Sequence, residues 1–213
     1  MHEMDQKRNR LRKDALIKAL NQRNMEAFFA DTKEEALKIA LDIIEEGSVV
    51  SNGGAASAIE IGLIDAIKAG NYKYLDRNGA TTKEEKKRLE VETLTSCDYF
   101  ISGVNGMSEN GVIVNIDGNA NRVAAICQGP EHVLFIVGMN KIVHSEEDAY
   151  NRAKFIAAPI NAQRFGLSTP CGITGKCSEC LMEQCICCQI LTTRYSMHKG
   201  RIKVILVNED LGF

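Results

Sequence analysis

The sequence predicts an α/β fold: a mainly parallel but mixed sheet flanked by helices, with a cysteine-rich appendage. Three observations predict it. Short apolar runs alternate with amphipathic stretches along most of the chain, the pattern of strand–helix–strand units. One run, His132-Val133-Leu134-Phe135-Ile136-Val137-Gly138, is unbroken, as in a strand buried on both faces of a parallel sheet. Six of the eight cysteines fall between Cys171 and Cys188.

Each element has its own signal. The first 46 residues read as helical, with Leu11, Ala15, Leu16, Ala19 and Leu20 at helical spacing. Met25, Ala27, Phe28 and Phe29 interrupt them as a short strand. Asp31-Thr32-Lys33-Glu34 supplies an N-cap and acids for the next helix, whose buried stripe is Ala36, Ile39, Ala40 and Ile43. Ser48-Val49-Val50-Ser51 is a strand running into Asn52-Gly53-Gly54-Ala55-Ala56-Ser57 and a helix. Lys73-Tyr74-Leu75 reads as a strand, and Thr81 to Leu94 as a charged helix capped at Thr82. Strands follow at Asp98 to Val104 and Gly111 to Ile116; Arg122 to Cys127 is read with them. Ser145 to Phe155 is a Ser-capped helix, and Arg201 to Val207 a final strand. The composition changes sharply at Thr169. The expected organisation is an N-terminal helical segment (1–30), an α/β domain (31–168), a cysteine-rich segment (169–190) and a returning helix or strand (191–213).

Composition excludes several function classes. The chain has 213 residues, 45% hydrophobic and 25% charged, an ordinary globular mix that argues against disorder. A net charge of -2 without a basic face argues against nucleic acid as the main partner. No apolar run approaches the ~18 residues of a membrane span. The start, MHEMDQKRNRLRKD, has no apolar core, so no secretory signal is expected and the expected location is the cytoplasm.

The cysteines carry the strongest chemical signal. Cys171-x5-Cys177-x2-Cys180-x4-Cys185-x-Cys187-Cys188 lies in a polar, glycine-containing stretch. A disulfide framework spreads its cysteines, so this block points to metal ligation in a reducing compartment. Thiolates suit iron–sulfur clusters or zinc. Zinc sites usually show two separated Cys-x2-Cys knuckles and here there is one, so a 4Fe–4S cluster is expected, with zinc as the alternative. Cys97 and Cys127 read as core residues, and His132 and His144 as structural ones.

Two further constellations could bind a substrate. Asn52, Gly53, Gly54 and Ser57 lie in a strand–glycine loop–helix arrangement that can hold an anion on backbone N–H groups; a tight turn explains the glycines equally well. No Gly-Lys-Ser/Thr follows, so it is not a Walker motif. Polar loops at strand ends carry Asn105, Glu109, Asp117, Asn121, Arg122 and Lys141. Ligands of open α/β sheets bind at such ends. Here Glu109 is the candidate proton acceptor or nucleophile, Asp117 and Arg122 orient a carboxylate, and Lys141 adds a cation. Hairpin chemistry competes as an explanation for the Asn-Gly and Asp-Gly pairs.

The run GVNGMSENGVIVNIDGNANRVAAICQGPEHVLFIVGMNKIV (Gly103 to Val143) resembles the signature stretch of the lactate-utilisation LUD domain family. TPCGITGKCSEC (Thr169 to Cys180) and RIKVILVNEDLGF (Arg201 to Phe213) resemble a single-domain branch of it. The resemblance implies a phosphosugar isomerase/CoA-transferase-like fold, with a phosphate- or cofactor-holding loop where Asn52, Gly53, Gly54 and Ser57 stand. It implies a ligand pattern P-C-x5-C-x2-C-x6-C that falls on Cys171, Cys177, Cys180 and Cys187. It also implies a setting, the bacterial oxidation of lactate to pyruvate alongside iron–sulfur partner proteins. The leading expectation is an iron–sulfur protein acting in oxidation or electron transfer for a small 2-hydroxy acid. An isomerase or acyl-CoA transferase using Glu109, or a non-catalytic subunit of an oxidase complex, are the alternatives. The expected partners are a small anionic substrate and other iron–sulfur redox proteins, with a homodimer as the candidate assembly.

Overall fold

The computed structural model describes residues 1–213. Its strands are β1 (Glu26–Ala30), β2 (Val49–Gly53), β3 (Lys73–Leu75), β4 (Tyr99–Ser102), β5 (Gly106–Ser108), β6 (Ile113–Asp117), β7 (His132–Gly138), β8 (Ile142–Val143), β9 (Gln189–Thr193) and β10 (Ile202–Val207). Its helices are α1 (Glu3–Gln22), α2 (Lys33–Ile43), α3 (Ala56–Glu60), α4 (Leu63–Ala69), α5 (Lys83–Ser96), α6 (Asn121–Cys127), α7 (Glu146–Arg152), α8 (Ala158–Arg164) and α9 (Pro170–Thr174).

Six strands form a wholly parallel sheet in the order β1-β10-β7-β4-β2-β3. β7 lies inside it, between β10 and β4, which is why its run is apolar without alternation. The strand period of two then divides its residues between two cores. Leu134 and Ile136 join Ala36, Ala40, Leu63 and Ile67 of α2 and α4 on one face. Val133, Phe135 and Val137 join Leu16 and Leu20 of α1 and Ile126 of α6 on the other.

The antiparallel pairs form a second sheet, β8-β5-β6-β9, rather than entering the first. The expected single mixed sheet is thus two sheets. Met107 and Ile113 of the second sheet pack into the core on the α1 face, so β5 and β6 lie over the parallel strands instead of beside them. Residues 122–127, read with the strands, are helix α6: the Asp117 carboxylate accepts from the N–H groups of Arg122 (3.0 Å) and Val123 (3.2 Å) and fixes its first turn. The helix expected to end at Phe155 continues through a π-helical turn, Ala153–Ala157, into α8. Of Asp31 and Thr32, Thr32 is the cap, and the caps expected at Thr82 and Ser145 are present, each side chain accepting a backbone N–H three residues on. No helix is long and apolar enough to cross a membrane.

Candidate functional site

The carboxyl ends of β2, β4 and β7 and the loop after β6 bring basic side chains together. Arg122 opens α6 and is buried. Its Nη2 donates to Asn105 Oδ1 (3.0 Å) and to the Ile116 carbonyl, and its Nε stands 3.9 Å from Asp117. Asn105 Oδ1 also accepts the Ile116 N–H at 2.9 Å, so Asn105 serves to orient Arg122. Burial pulls the Arg122 pKa below its usual value; Arg77 and Arg164 add to this and Asp117 opposes it. The Asn121 amide faces the Arg77 guanidinium.

Gly54 is in the left-handed region, at φ +57°, and a Cβ there would lie 2.7 Å from Arg122 Nη1 and 2.8 Å from its Cδ. The glycine pair therefore makes room for the Arg122 side chain and, at Gly53, for Phe100. The helix that follows, α3, is only five residues long and has no side-chain cap. Asn52 is tied to Tyr74, accepting its hydroxyl at 2.6 Å, and burial pushes that phenol up to about 12.

Lys141 forms the second half of this group. It is 2% exposed, and its Nζ donates to Ser57 Oγ at 3.0 Å. No carboxylate lies within ion-pair distance. Burial lowers its pKa to about 7, Arg152 and Arg122 add to this, and Glu60 opposes it. Arg152, also buried, donates to the Asn105 and Asn140 carbonyls, the latter at 3.2 Å. Asn115 donates to the Gly103 carbonyl at 3.0 Å and keeps a buried Oδ1 without a partner.

The structure thus joins Asn105, Asp117 and Arg122 into one bonded cluster packed against Gly54, and Ser57 with Lys141 into an adjoining one. It does not bring Glu109 to them. Glu109 pairs with Arg12 of α1 at 2.6 Å and with His144 at 3.3 Å. Sequence reasoning missed Arg77, Arg152 and Arg164. Arg152 had a signal: it follows Ala149 by three and precedes Ala153 by one, on the face that helix α7 buries.

The cysteines meet at a second place. A cavity of about 130 Å³ is lined by Cys171, Cys177, Cys180, Cys185 and Cys187, with Lys154, Pro159, Leu181 and Ile190 among its apolar and basic walls. The thiols ring this space; no three Cys, His, Asp or Glu side chains converge as the ligands of one ion would. Burial, then Cys185, Cys177 and Cys171, push the Cys187 thiol up to about 12. Burial, then Cys185, Cys171 and Cys177, raise Cys180 as well. Backbone N–H groups of Glu179 and Cys187 each stand 3.4 Å from a sulfur, those of Cys177 and Cys185. Cys188 is exposed and bonded to the Cys185 carbonyl. Cys97 is buried away from the cavity, and Cys127, expected in the core, is exposed at the end of α6.

The two places adjoin. β9 pairs with β6 so that Gln189 faces Asp117, and a Cβ on Gly118 would lie 3.1 Å from Ile186 Cα.

The LUD domain profile matches residues 13–207. The chain belongs to the LUD domain family. The crystal structure of a DUF162 family protein from Deinococcus radiodurans is similar to this LUD domain in fold, with 14% identity and a TM-score of 0.52 over 91% of this chain and 94% of that one. eIF2B delta from Chaetomium thermophilum aligns over 57% of this chain and 54% of its own, at 17% identity and a TM-score of 0.36. No curated protein matches the sequence. At family level the chain is lactate-utilisation-like.

Proposed function

We propose that this LUD domain is an iron–sulfur protein that acts in oxidation or electron transfer for a small 2-hydroxy acid. One observation carries the reading: a thiol-lined cavity stands beside a buried cationic cluster, joined to it through β6 and β9. Cys171, Cys177, Cys180 and Cys187 would hold a 4Fe–4S cluster, with Cys185 available to replace one of them. A ring of thiols about a cavity suits a multi-metal cluster better than one tetrahedral ion with Zn–S bonds of about 2.3 Å. The backbone N–H groups on Cys177 and Cys185 are donors of the kind that tune cluster sulfurs. When bound, such a cluster would supply one-electron transfer.

The protein's own residues handle the substrate. Arg122 presents a guanidinium held by Asn105 and Asp117, and Lys141 presents an ammonium beside Ser57. Both favour a carboxylate, and the low local dielectric strengthens the attraction. The unpartnered Asn115 Oδ1 can accept a hydrogen bond from a hydroxyl. Oxidation of a 2-hydroxy to a 2-oxo acid releases two electrons and two protons, so a one-electron centre would need an iron–sulfur redox partner to take the electrons onward one at a time, with the protons passing to water. The alternative built on Glu109 as base or nucleophile has no support from its position against Arg12 and His144.

The test is anaerobic purification with iron and acid-labile sulfide analysis and a visible spectrum. Iron and sulfide in equal amounts are expected, with both lost in Cys180→Ser. Stoichiometric zinc without sulfide overturns the cluster. Electron transfer from L-lactate by the isolated chain would separate a catalytic role from a non-catalytic subunit of an oxidase complex.

A further inference from the structure

The segment after β10 lies across the Lys141–Ser57 pair. Gly212 sits at φ +56°, and a Cβ on it would be 3.0 Å from both Lys141 Nζ and Ser57 Oγ. On another side of the pair is Gly103, where a Cβ would lie 3.8 Å from Nζ and 4.0 Å from Oγ. Two missing side chains therefore border one buried ammonium. That ammonium has three donors and one hydrogen-bond acceptor, Ser57. The charged groups that influence it are Arg152 of α7, Arg122 of α6 and Glu60 of α3. Glu60, the one carboxylate among them, is engaged elsewhere: its two oxygens accept the Gly212 N–H at 3.1 and 3.0 Å. A buried cation among cations, with donors to spare, is costly unless an anion joins it.

We propose that the Leu211–Gly212 strap is a self-inhibitory lid, and that a small monocarboxylate binds Lys141 and Ser57 by displacing Gly212. This rests on the reading of the cationic cluster as the substrate site. Leu211 is the anchor: its side chain is fully buried, and its N–H donates to Asn140 Oδ1 at 3.1 Å. Gly212, one residue on, is held to the fold by the Glu60 latch. A single ammonium with one hydroxyl beside it matches one negative charge, which favours a carboxylate over a phosphate dianion. Anion binding requires the charged lysine. With Lys141 titrating at about 7, affinity falls up to tenfold for each pH unit above that.

The experiment titrates the full-length protein with sodium L-lactate by calorimetry at pH 6 and pH 8.5, and follows amide hydrogen exchange at residues 208–213. Lactate is expected to bind more tightly at pH 6 and to raise exchange at Gly212. Glu60→Gln weakens the latch and should raise exchange without ligand and tighten lactate binding several-fold. Gly212→Ala, strained at its φ, should do the same. Lys141→Met should abolish binding. Lactate binding that leaves Gly212 exchange unchanged, with Glu60→Gln at native affinity, overturns the lid while leaving the cationic site standing. Native affinity in Lys141→Met, or no lactate binding in the native protein and both latch variants, overturns the proposal outright. Iron and sulfide content reports separately on the cluster.

Discussion

The cationic cluster and the cysteine segment are neighbours built on opposite principles. Arg122, Asn105, Asp117, Ser57 and Lys141 stand at the ends of sheet strands or in the short helices and turns beside them; the first three are cross-linked by part-buried hydrogen bonds, and Ser57 is bonded to Lys141. Residues 175–188 contain neither helix nor strand, and Ile173, Leu181 and Met182 are exposed around them. One region is shaped before any ligand arrives. The other has cysteines around a space that its own side chains do not fill. The difference teaches that a cluster cross-linked by its own side chains and a loop-borne ring of thiols can share a single β-ladder.

The largest expected effect tests that contrast directly. Iron chelation, or Cys180→Ser, should make residues 175–188 the first site of limited proteolysis while the rest of the chain resists, because metal binding and local folding are coupled. Equal protection with and without iron would erase the distinction. Next, Arg122→Ala should destabilise the protein by about 1–3 kcal/mol, since it leaves the Ile116 carbonyl and half-buried Asn105 and Asp117 without one of their partners and empties the space beside Gly54. A urea midpoint within error of the native value would show that the cluster is not pre-shaped.

Lys141→Met should act in the opposite direction. In the unfolded chain the lysine loses its proton near 10.5, and in the folded chain at about 7. Between those values the unfolded state binds more protons, so native stability rises with pH, and the burial penalty is full below about 7. Replacing the lysine should therefore raise the melting temperature by about 5–10 °C at pH 6. The gain should shrink toward pH 10, and a pH-independent gain would contradict the assignment. The smallest effect is expected at Glu109→Gln. Its half-exposed pairs with Arg12 and His144 contribute at most about 1 kcal/mol, and lactate affinity should not move.

How much was legible depends on whether the deciding contact is local. The caps at Thr32, Thr82 and Ser145 and the apolar run of β7 announce themselves, because a cap is closed within three residues and a doubly buried strand needs no alternation. The gathering of the cysteines was legible for the same reason: they are close in sequence, and five of them line one cavity. The Gly53-Gly54 pair was visible but its cause was not, since the group occupying the space is Arg122 on another element. The split into two sheets was equally hidden, because Met107 and Ile113 show an apolar character without saying which layer they join. Glu109 looked placed for chemistry until the fold set Arg12 beside it.

The pairing of β1 with β10 sets a timetable for synthesis. Residues 26–30 wait for residues 203–207, their only partners in the parallel sheet. Until residues 203–207 have left the ribosome, β1 remains an open edge and α1 has only part of its packing surface. Such non-local closure makes folding slow and leaves early strands exposed to pairing with other chains. The interior position of β10, between β1 and β7, makes it the last piece to slot into the sheet, so a stalled or shortened nascent chain would present two unsatisfied strand edges at once.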